Sequence, residues 1–370
     1  MSAHPDAGLA QPCLELPPGT LAVEHLREVI ESQAAARGKR FLVLTHRSPD
    51  PDALGACCGM RHLLKEGFGC EPVVATMGRI HRAENVAMVR ELGLVFEDYR
   101  DLDLSQFAGS VLVDSQPSFG HTFVPEEVPL LAVIDHHETP QHGIARAAEV
   151  PHFDVRHDVG ATASVVYEYL RDAGVPLDQH TASALFCGVR FDTADLSHHL
   201  SELDEEAYFA TLRLADRPCV VRIQRPPLPV EYYRELDRAL QTARRYGPLI
   251  VGLFHEVPNP ESVAEMADFF LRMEGCQWTL AGGAFEDDYF ISLRTDYAFG
   301  PAYDLLEAIM GDEGSFGGHG RIAGGQIPLE DKSEIGIRKV QRGLRQRALE
   351  VLRSQGYELE SVESAAQPIT

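Results

Sequence analysis

His46-Arg-Ser-Pro-Asp-Pro-Asp-Ala-Leu-Gly55 decides how the chain is read. It follows the apolar run Phe41–Leu44, which reads as a buried strand, and it precedes a helical pattern from Ala53 to Leu64. A histidine and two aspartates therefore crowd a strand end beside a helix start, where open α/β sheets bind ligands. Pro49 and Pro51 disfavour the α region at Ser48 and Asp50. The loop is expected to be extended, with Asp50 and Asp52 on one side of it. An imidazole and two carboxylates so constrained suit a hard or borderline divalent cation.

The same arrangement recurs downstream. Ser110–Val113 stops at Asp114, and Leu130–Ile134 stops at Asp135-His136-His137. Ala184–Val189 leads into Arg190-Phe191-Asp192, a fourth acid at the end of an apolar run. Short apolar runs separated by helical patterns predict a mostly parallel sheet with flanking helices. Gly160–Ser164 opens another helix, and a helix start attracts anions. Arg79, His81 and Arg82 form a basic loop, read as a solvated helix start. His198 and His199 are read as surface residues or as residues supporting the ligands, rather than as ligands.

Near residues 201–230 the chain turns acidic and then proline-rich, which marks a linker. Beyond it come a helix (231–245), a strand (249–254), a helix (262–273), paired strands (278–285 and 289–294) and a helix (303–310). The glycine-rich loop Gly314–Gly325 follows. The expected divisions are a loose extension over 1–20, a catalytic domain over 21–210, a linker over 211–245, a second and smaller α/β domain over 246–355, and a tail over 356–370. In the second domain, glycines around His319 let backbone N–H groups approach a ligand closely. Arg294 and Arg321 are candidate phosphate clamps. A basic helix near the C-terminus reads as a solvated face.

With 370 residues and a net charge of -23, the chain can bury a sizeable core but is ill suited to coating nucleic acid. An anionic substrate needs local positive charge, from metal or arginine. Seven scattered cysteines without a CxxC fit a reducing, cytoplasmic setting. The first residues lack the pattern of a signal peptide, and no apolar run reaches membrane-spanning length, so no membrane partner is expected.

His46, Asp50, Asp52, Asp114, His136 and Asp192 exceed what one cation takes from protein. Two cations about 3.5–4 Å apart, with Asp114 as the bridging carboxylate, account for the set. Carboxylate and imidazole ligands without thiolate suit Mn²⁺, with Mg²⁺ or Co²⁺ as alternatives. Asp135 is expected to orient the neighbouring imidazole. His137 is left to bind a phosphate oxygen or to protonate a leaving group.

HRSPDPDALGA, VLVDSQPS, AVIDHHET, GATASVVYEYL, GVRFDTADLS, ISLRT and GGHGRIAGG, in this order from 46 to 325, resemble the DHH-family phosphoesterases with a DHH-associated C-terminal domain. The resemblance implies one metal on His46, Asp50 and Asp114, and a second on Asp52, Asp114, His136 and Asp192. It also implies that His137 faces the scissile phosphate. Arg294, Gly317, Gly318, His319 and Arg321 would hold the far phosphate or terminal nucleotide, in a cleft between the two domains. The chain is most similar to the short branch acting on nanoRNA, linear dinucleotides and 3'-phosphoadenosine 5'-phosphate. It departs from that branch at Phe316, Ile322 and Leu196. The expected substrate is a small nucleotide or short single-stranded RNA, and a homodimer is an open alternative. Competing readings are hydrolysis of cyclic di-AMP or polyphosphate, and a catalytically idle nucleotide-binding regulator.

Overall fold

The computed structural model describes residues 21–78, 80–140, 143–197, 200–296, 300–356 and 367–368. The readings for residues 1–20, Arg79, His198, His199 and most of the tail lie outside the described residues, as does the side chain of His319. The chain divides into two compact units, at Pro226/Pro227.

The first unit runs α1 (Ala22–Arg37), β1 (Arg40–Leu44), α2 (Pro51–His62), β2 (Glu71–Thr76), α3 (Ala83–Glu91), β3 (Glu97–Asp98), β4 (Gly109–Val113), β5 (Leu130–Asp135), α4 (Ile144–Ala147), β6 (His152–Val155), α5 (Thr162–Asp172), α6 (Gln179–Asp192), α7 (Glu202–Leu214) and α8 (Arg217–Gln224). Its six strands pair in parallel in the order β3-β2-β1-β4-β5-β6. This is a doubly wound order: strands are added outward in one direction from β1 to β3 and in the other from β4 to β6, so the strand order reverses between β1 and β4. Ligands gather at that switch point, outside the carboxyl ends of the strands. β4 is buried at every position, as a parallel strand covered on both faces should be.

Helices α2, α5 and α6 meet through small residues. A Cβ at Gly55 would lie 2.7 Å from the Ala184 carbonyl oxygen. At Gly188 it would lie 2.9 Å from the Ala163 Cβ and 3.0 Å from Asp52 Oδ1. Glycine at these two positions lets the helices close around Asp52, which is fully buried.

Two sequence expectations change here. Ala184–Val189 belongs to helix α6, and Asp192 is the last residue of that helix. A six-residue apolar run has no period long enough to separate strand from buried helix. The expected linker over 211–245 is also largely helical. Residues 211–224 lie in α7 and α8, whose Cys219, Val220 and Ile223 are core residues of the first unit.

The second unit runs α9 (Val230–Thr242), β7 (Arg244–Tyr246), β8 (Leu249–Glu256), α10 (Glu261–Leu271), β9 (Trp278–Phe285), β10 (Asp288–Thr295), α11 (Ala302–Met310), β11 (Ser315–His319), β12 (Ile322–Pro328), α12 (Glu334–Ser354) and β13 (Gln367–Pro368). They form a mixed sheet ordered β11-β12-β10-β9-β8-β7-β13. Only β8 and β9 pair in parallel. The glycine-rich stretch is therefore not a loop but the hairpin β11–β12, turning at Gly320-Arg321. No helix among the described residues is long and apolar enough to cross a membrane.

Candidate metal centre

Three parallel strands and two helices deliver the site. β1 ends just before His46. The chain then caps α2 with Asp50, whose Oδ1 accepts from the Asp52 and Ala53 amides at 3.0 Å each. Pro51 occupies the first helical position, where its missing N–H costs nothing. Asp50 is extended as expected, but Asp52 lies inside the first turn of α2 rather than in an extended loop. The Asp52 carboxylate accepts the Thr162 amide (2.6 Å) on Oδ2 and the Ala163 amide (2.8 Å) on Oδ1. The helix start read as an anion site thus takes an anion of the chain itself.

β4 delivers Asp114, whose φ of 54° is left-handed, a conformation uncommon outside glycine and asparagine. Its amide still donates to the Ile134 carbonyl (3.0 Å), so the chain turns only after the ladder ends. Asp114 Oδ1 accepts from the Thr162 hydroxyl at 2.9 Å. β5 delivers Asp135, His136 and His137, and the end of α6 delivers Asp192. Ala194, Asp195 and Leu196, directly after it, all have positive φ (45°, 57° and 62°).

Two sets of donor atoms lie within 4.8 Å of one another: His46, Asp50 and Asp114; and Asp52, His136 and Asp192. Asp114, His136 and His137 form a third, overlapping set. Asp114 lies between the first two sets, with Oδ2 3.7 Å from His46 Nε2 and Oδ1 3.8 Å from His136 Nε2. His136 Nε2 is 3.2 Å from Asp192 Oδ2. His136 Nδ1 faces the Val159 carbonyl at 3.3 Å, which fixes that nitrogen as the donor. Nε2 is buried, faces two carboxylates and makes no hydrogen bond, so it must either hold a proton or bind a cation. A cation among these atoms removes the conflict.

The electrostatics carry the same mark. Burial, then the charges of Asp192 and Asp114, push the Asp50 carboxyl up to about 7. Burial and Asp114 push Asp52 well above the carboxylate range. Against burial, Asp192 and Asp114 raise the His136 imidazole to about 10. Against burial, the His46 hydrogen bond and the three imidazoles hold Asp114 below the carboxylate range. Protons are retained where positive charge is lacking. Two divalent cations would balance the four carboxylates, and the donor set fits such ions.

His137 is held separately. Its Nδ1 is 2.9 Å from Asp135 Oδ1, which also accepts the His136 amide at 2.9 Å. Gln116 Nε2 donates to Asp135 Oδ2 and to the His137 carbonyl, both at 2.8 Å. Against burial, Asp135 raises His137 to about 9. Gln116 and Thr162 were not singled out in the sequence. The only available signal was their place inside the VLVDSQPS and GATASVV stretches.

Arg294 is nearly buried. Its Nε donates to Asp268 Oδ1 (2.6 Å), and its Nη1 donates to Ser292 Oγ (2.6 Å) and the Leu293 carbonyl (3.1 Å). Much of this guanidinium is already engaged by the protein. Gly317 and Gly318 are exposed on β11, an edge strand whose outer side meets no other strand among the described residues. Arg321 is half-buried at the hairpin turn, and burial lowers its pKa against the opposing charges of Asp296 and Asp268.

A parallel sheet with carboxylates and imidazoles converging at its switch point defines a metal-binding α/β domain. Residues 40–189 match the family model described as DHH family, N-terminal domain. An uncharacterized protein of Methanocaldococcus jannaschii is 29% identical over 357 residues, 94% of this chain and 71% of that protein. A probable manganese-dependent inorganic pyrophosphatase of Streptococcus suis is 27% identical over 155 residues, 42% of this chain and 48% of the enzyme. An exopolyphosphatase-related protein from Bacteroides fragilis has a similar fold, with a TM-score of 0.69, 14% identity and coverage of 90% of this chain and 97% of that one.

Proposed function

We propose that the chain is a divalent-metal-dependent phosphoesterase. In this reading it hydrolyses short oligoribonucleotides and linear dinucleotides to 5'-mononucleotides, with 3'-phosphoadenosine 5'-phosphate as a further substrate. The observation that carries the reading is the convergence of six candidate ligands, Asp114 among them, with His136 Nε2 buried among carboxylates without a hydrogen bond. A similar pyrophosphatase named as manganese-dependent supports Mn²⁺ as the ion.

His46, Asp50 and Asp114 would hold one ion, and Asp52, Asp114, His136 and Asp192 the other. Two such ions supply a water of lowered pKa and neutralise charge on the phosphoryl group. The protein's own part is positional. Thr162 and the α5 amides fix Asp114 and Asp52. Asp135, steadied by Gln116, commits His137 Nδ1 as a donor, so proton exchange with a bound phosphate would run through Nε2. In the metal-free fold Asp135, against burial, raises His137 to about 9, and that pairing would favour a ring able to protonate a leaving oxygen. In the second unit, Arg321 and the open backbone at Gly317 and Gly318 are the groups offered to a terminal phosphate. Six free, buried cysteines among the described residues suit a reducing, cytoplasmic setting.

The test is turnover of pGpG, di- to pentaribonucleotides and 3'-phosphoadenosine 5'-phosphate with Mn²⁺, Mg²⁺ and Co²⁺. Cyclic di-AMP, pyrophosphate and polyphosphate are run beside them. Hydrolysis of the short RNAs with Mn²⁺ is expected. Turnover of inorganic substrates alone removes the substrate assignment, and no turnover by metal-loaded protein removes the enzyme.

A further inference from the structure

The loop after β4, Ser115–Thr122, does more than carry Gln116. It places two rings against the metal centre. Phe119 meets the His137 ring edge-to-face at 6.0 Å and 88°. It also lies 5.6 Å from the His121 ring, tilted by 32°. His121 in turn meets the ring of His46 edge-on at 5.4 Å. Phe119 is half-buried and His121 exposed, so the pair shows aromatic surface beside a candidate metal ligand and the candidate proton donor.

The loop is tied at several points. The Phe119 amide donates to the Gln116 carbonyl (3.0 Å) and the Thr122 amide to the Phe119 carbonyl (3.1 Å). The Ser115 and Thr122 hydroxyls are hydrogen-bonded to each other. The Arg47 amide donates to the His121 carbonyl (3.0 Å), tying the loop to the HRSPDPD segment, and Arg146 donates to the Pro117 carbonyl (3.1 Å). Gln116 ties it to the Asp135-His136-His137 segment. Rings held this way lose little freedom when a ligand stacks on them.

A phenyl face offers nothing to a hydrated inorganic phosphate, whereas every nucleobase has a flat face that stacks on such a surface. We propose that Phe119 and His121 form a shelf that stacks the planar base of a nucleotide whose phosphate lies at the metal centre. This rests on the phosphoesterase reading above and adds to it a preference for base-bearing substrates, set within the first unit.

The test compares adenosine 5'-monophosphate with ribose 5-phosphate, which keeps the sugar and phosphate and lacks the base. Their affinities for the full-length, Mn²⁺-loaded protein are measured by calorimetry, with metal content checked in every variant. Wild type should prefer the base-bearing ligand by on the order of tenfold or more, the scale of one base–aromatic stack. Phe119→Ala and Phe119→Leu should bring that ratio to within about threefold, and Phe119→Tyr should keep it. A ratio unchanged in both truncations overturns the shelf. So does a parallel loss of both ligands, which would make Phe119 a packing residue for His137. Equal binding of the two ligands by wild type overturns the shelf alone. Binding of neither overturns the phosphoesterase reading with it.

Discussion

Arg294 in the second unit and Asp52 in the first are both charged groups taken out of water, and they are satisfied differently. The Arg294 guanidinium has a carboxylate, a hydroxyl and a carbonyl of its own chain around it. Asp52 has two amides but lies among Asp50, Asp114 and Asp192, and its carboxyl is driven to hold a proton. Burying a charge without a partner is costly, so the partner must come from somewhere. In the second unit the chain supplies it. In the first it does not, and the deficit is of the size and geometry that cations fill. The difference teaches that an unbalanced buried cluster points to a ligand more strongly than a charged residue in a glycine-rich setting.

The comparison breaks first at Asp114. Asp114→Ala removes the carboxylate that the proposal gives to both ions. Turnover should fall at least about a thousandfold, roughly 4 kcal/mol of barrier, with loss of bound metal. Near-normal kcat with full metal content would contradict it. Gln116→Met keeps the volume and removes the donor to Asp135. We expect kcat to fall by roughly tenfold to a hundredfold while metal content holds. An unchanged kcat would mean that Asp135 needs no such support.

Asp268→Ala probes the opposite unit. Asp268 is partly exposed, so the loss should be modest, about 1–2 kcal/mol. The chain's single tryptophan, Trp278, is buried in β9 and reports this unfolding by fluorescence. Arg294→Met added to that variant should recover much of the loss, since the buried charge leaves with its partner. No recovery would mean that Arg294 is held by more than its charge.

The smallest effect is one of pH. Asp50 is raised to about 7 and His136 to about 10 in the metal-free fold. Both folded values exceed the unfolded ones, so both groups stabilise the fold when protonated. That stability is complete at low pH. The Asp50 share is lost as pH rises through about 7, and the His136 share as pH rises towards about 10. Bound cations replace the protons. The rise in Tm on adding Mn²⁺ should therefore be greater at pH 8.5 than at pH 6, by a few degrees on the scale of about 1 kcal/mol. An equal or reversed difference would show that these groups do not face the ion.

Much of the first unit was legible from residue pattern alone. Short apolar runs stopping at Asp114 and at Asp135-His136-His137 are what buried parallel strands leave in a sequence, and their ends mark the site. Asp192 was found as an acid after an apolar run, although that run is a helix buried between α2 and α7. The prolines beside Asp52 suggest an extended loop, but Pro51 suits the first helical position equally well, and α2 starts there. Thr162 and Gln116 were missed because a hydroxyl or an amide acquires its role from a partner 48 or 19 residues away, which no local period encodes. The glycine stretch misled for a related reason. Strand pairing with β10 absorbs Gly324 and Gly325, and glycine count alone does not show that.

The central claim is a pair of ions sharing Asp114. Electron paramagnetic resonance of the full chain titrated with Mn²⁺, with total bound metal measured in parallel, tests it directly. Two ions per chain with spin-coupled spectra are expected, and the coupling should be lost in Asp114→Ala. A protein that binds no Mn²⁺, or binds isolated ions whose spectra ignore that substitution, would contradict it.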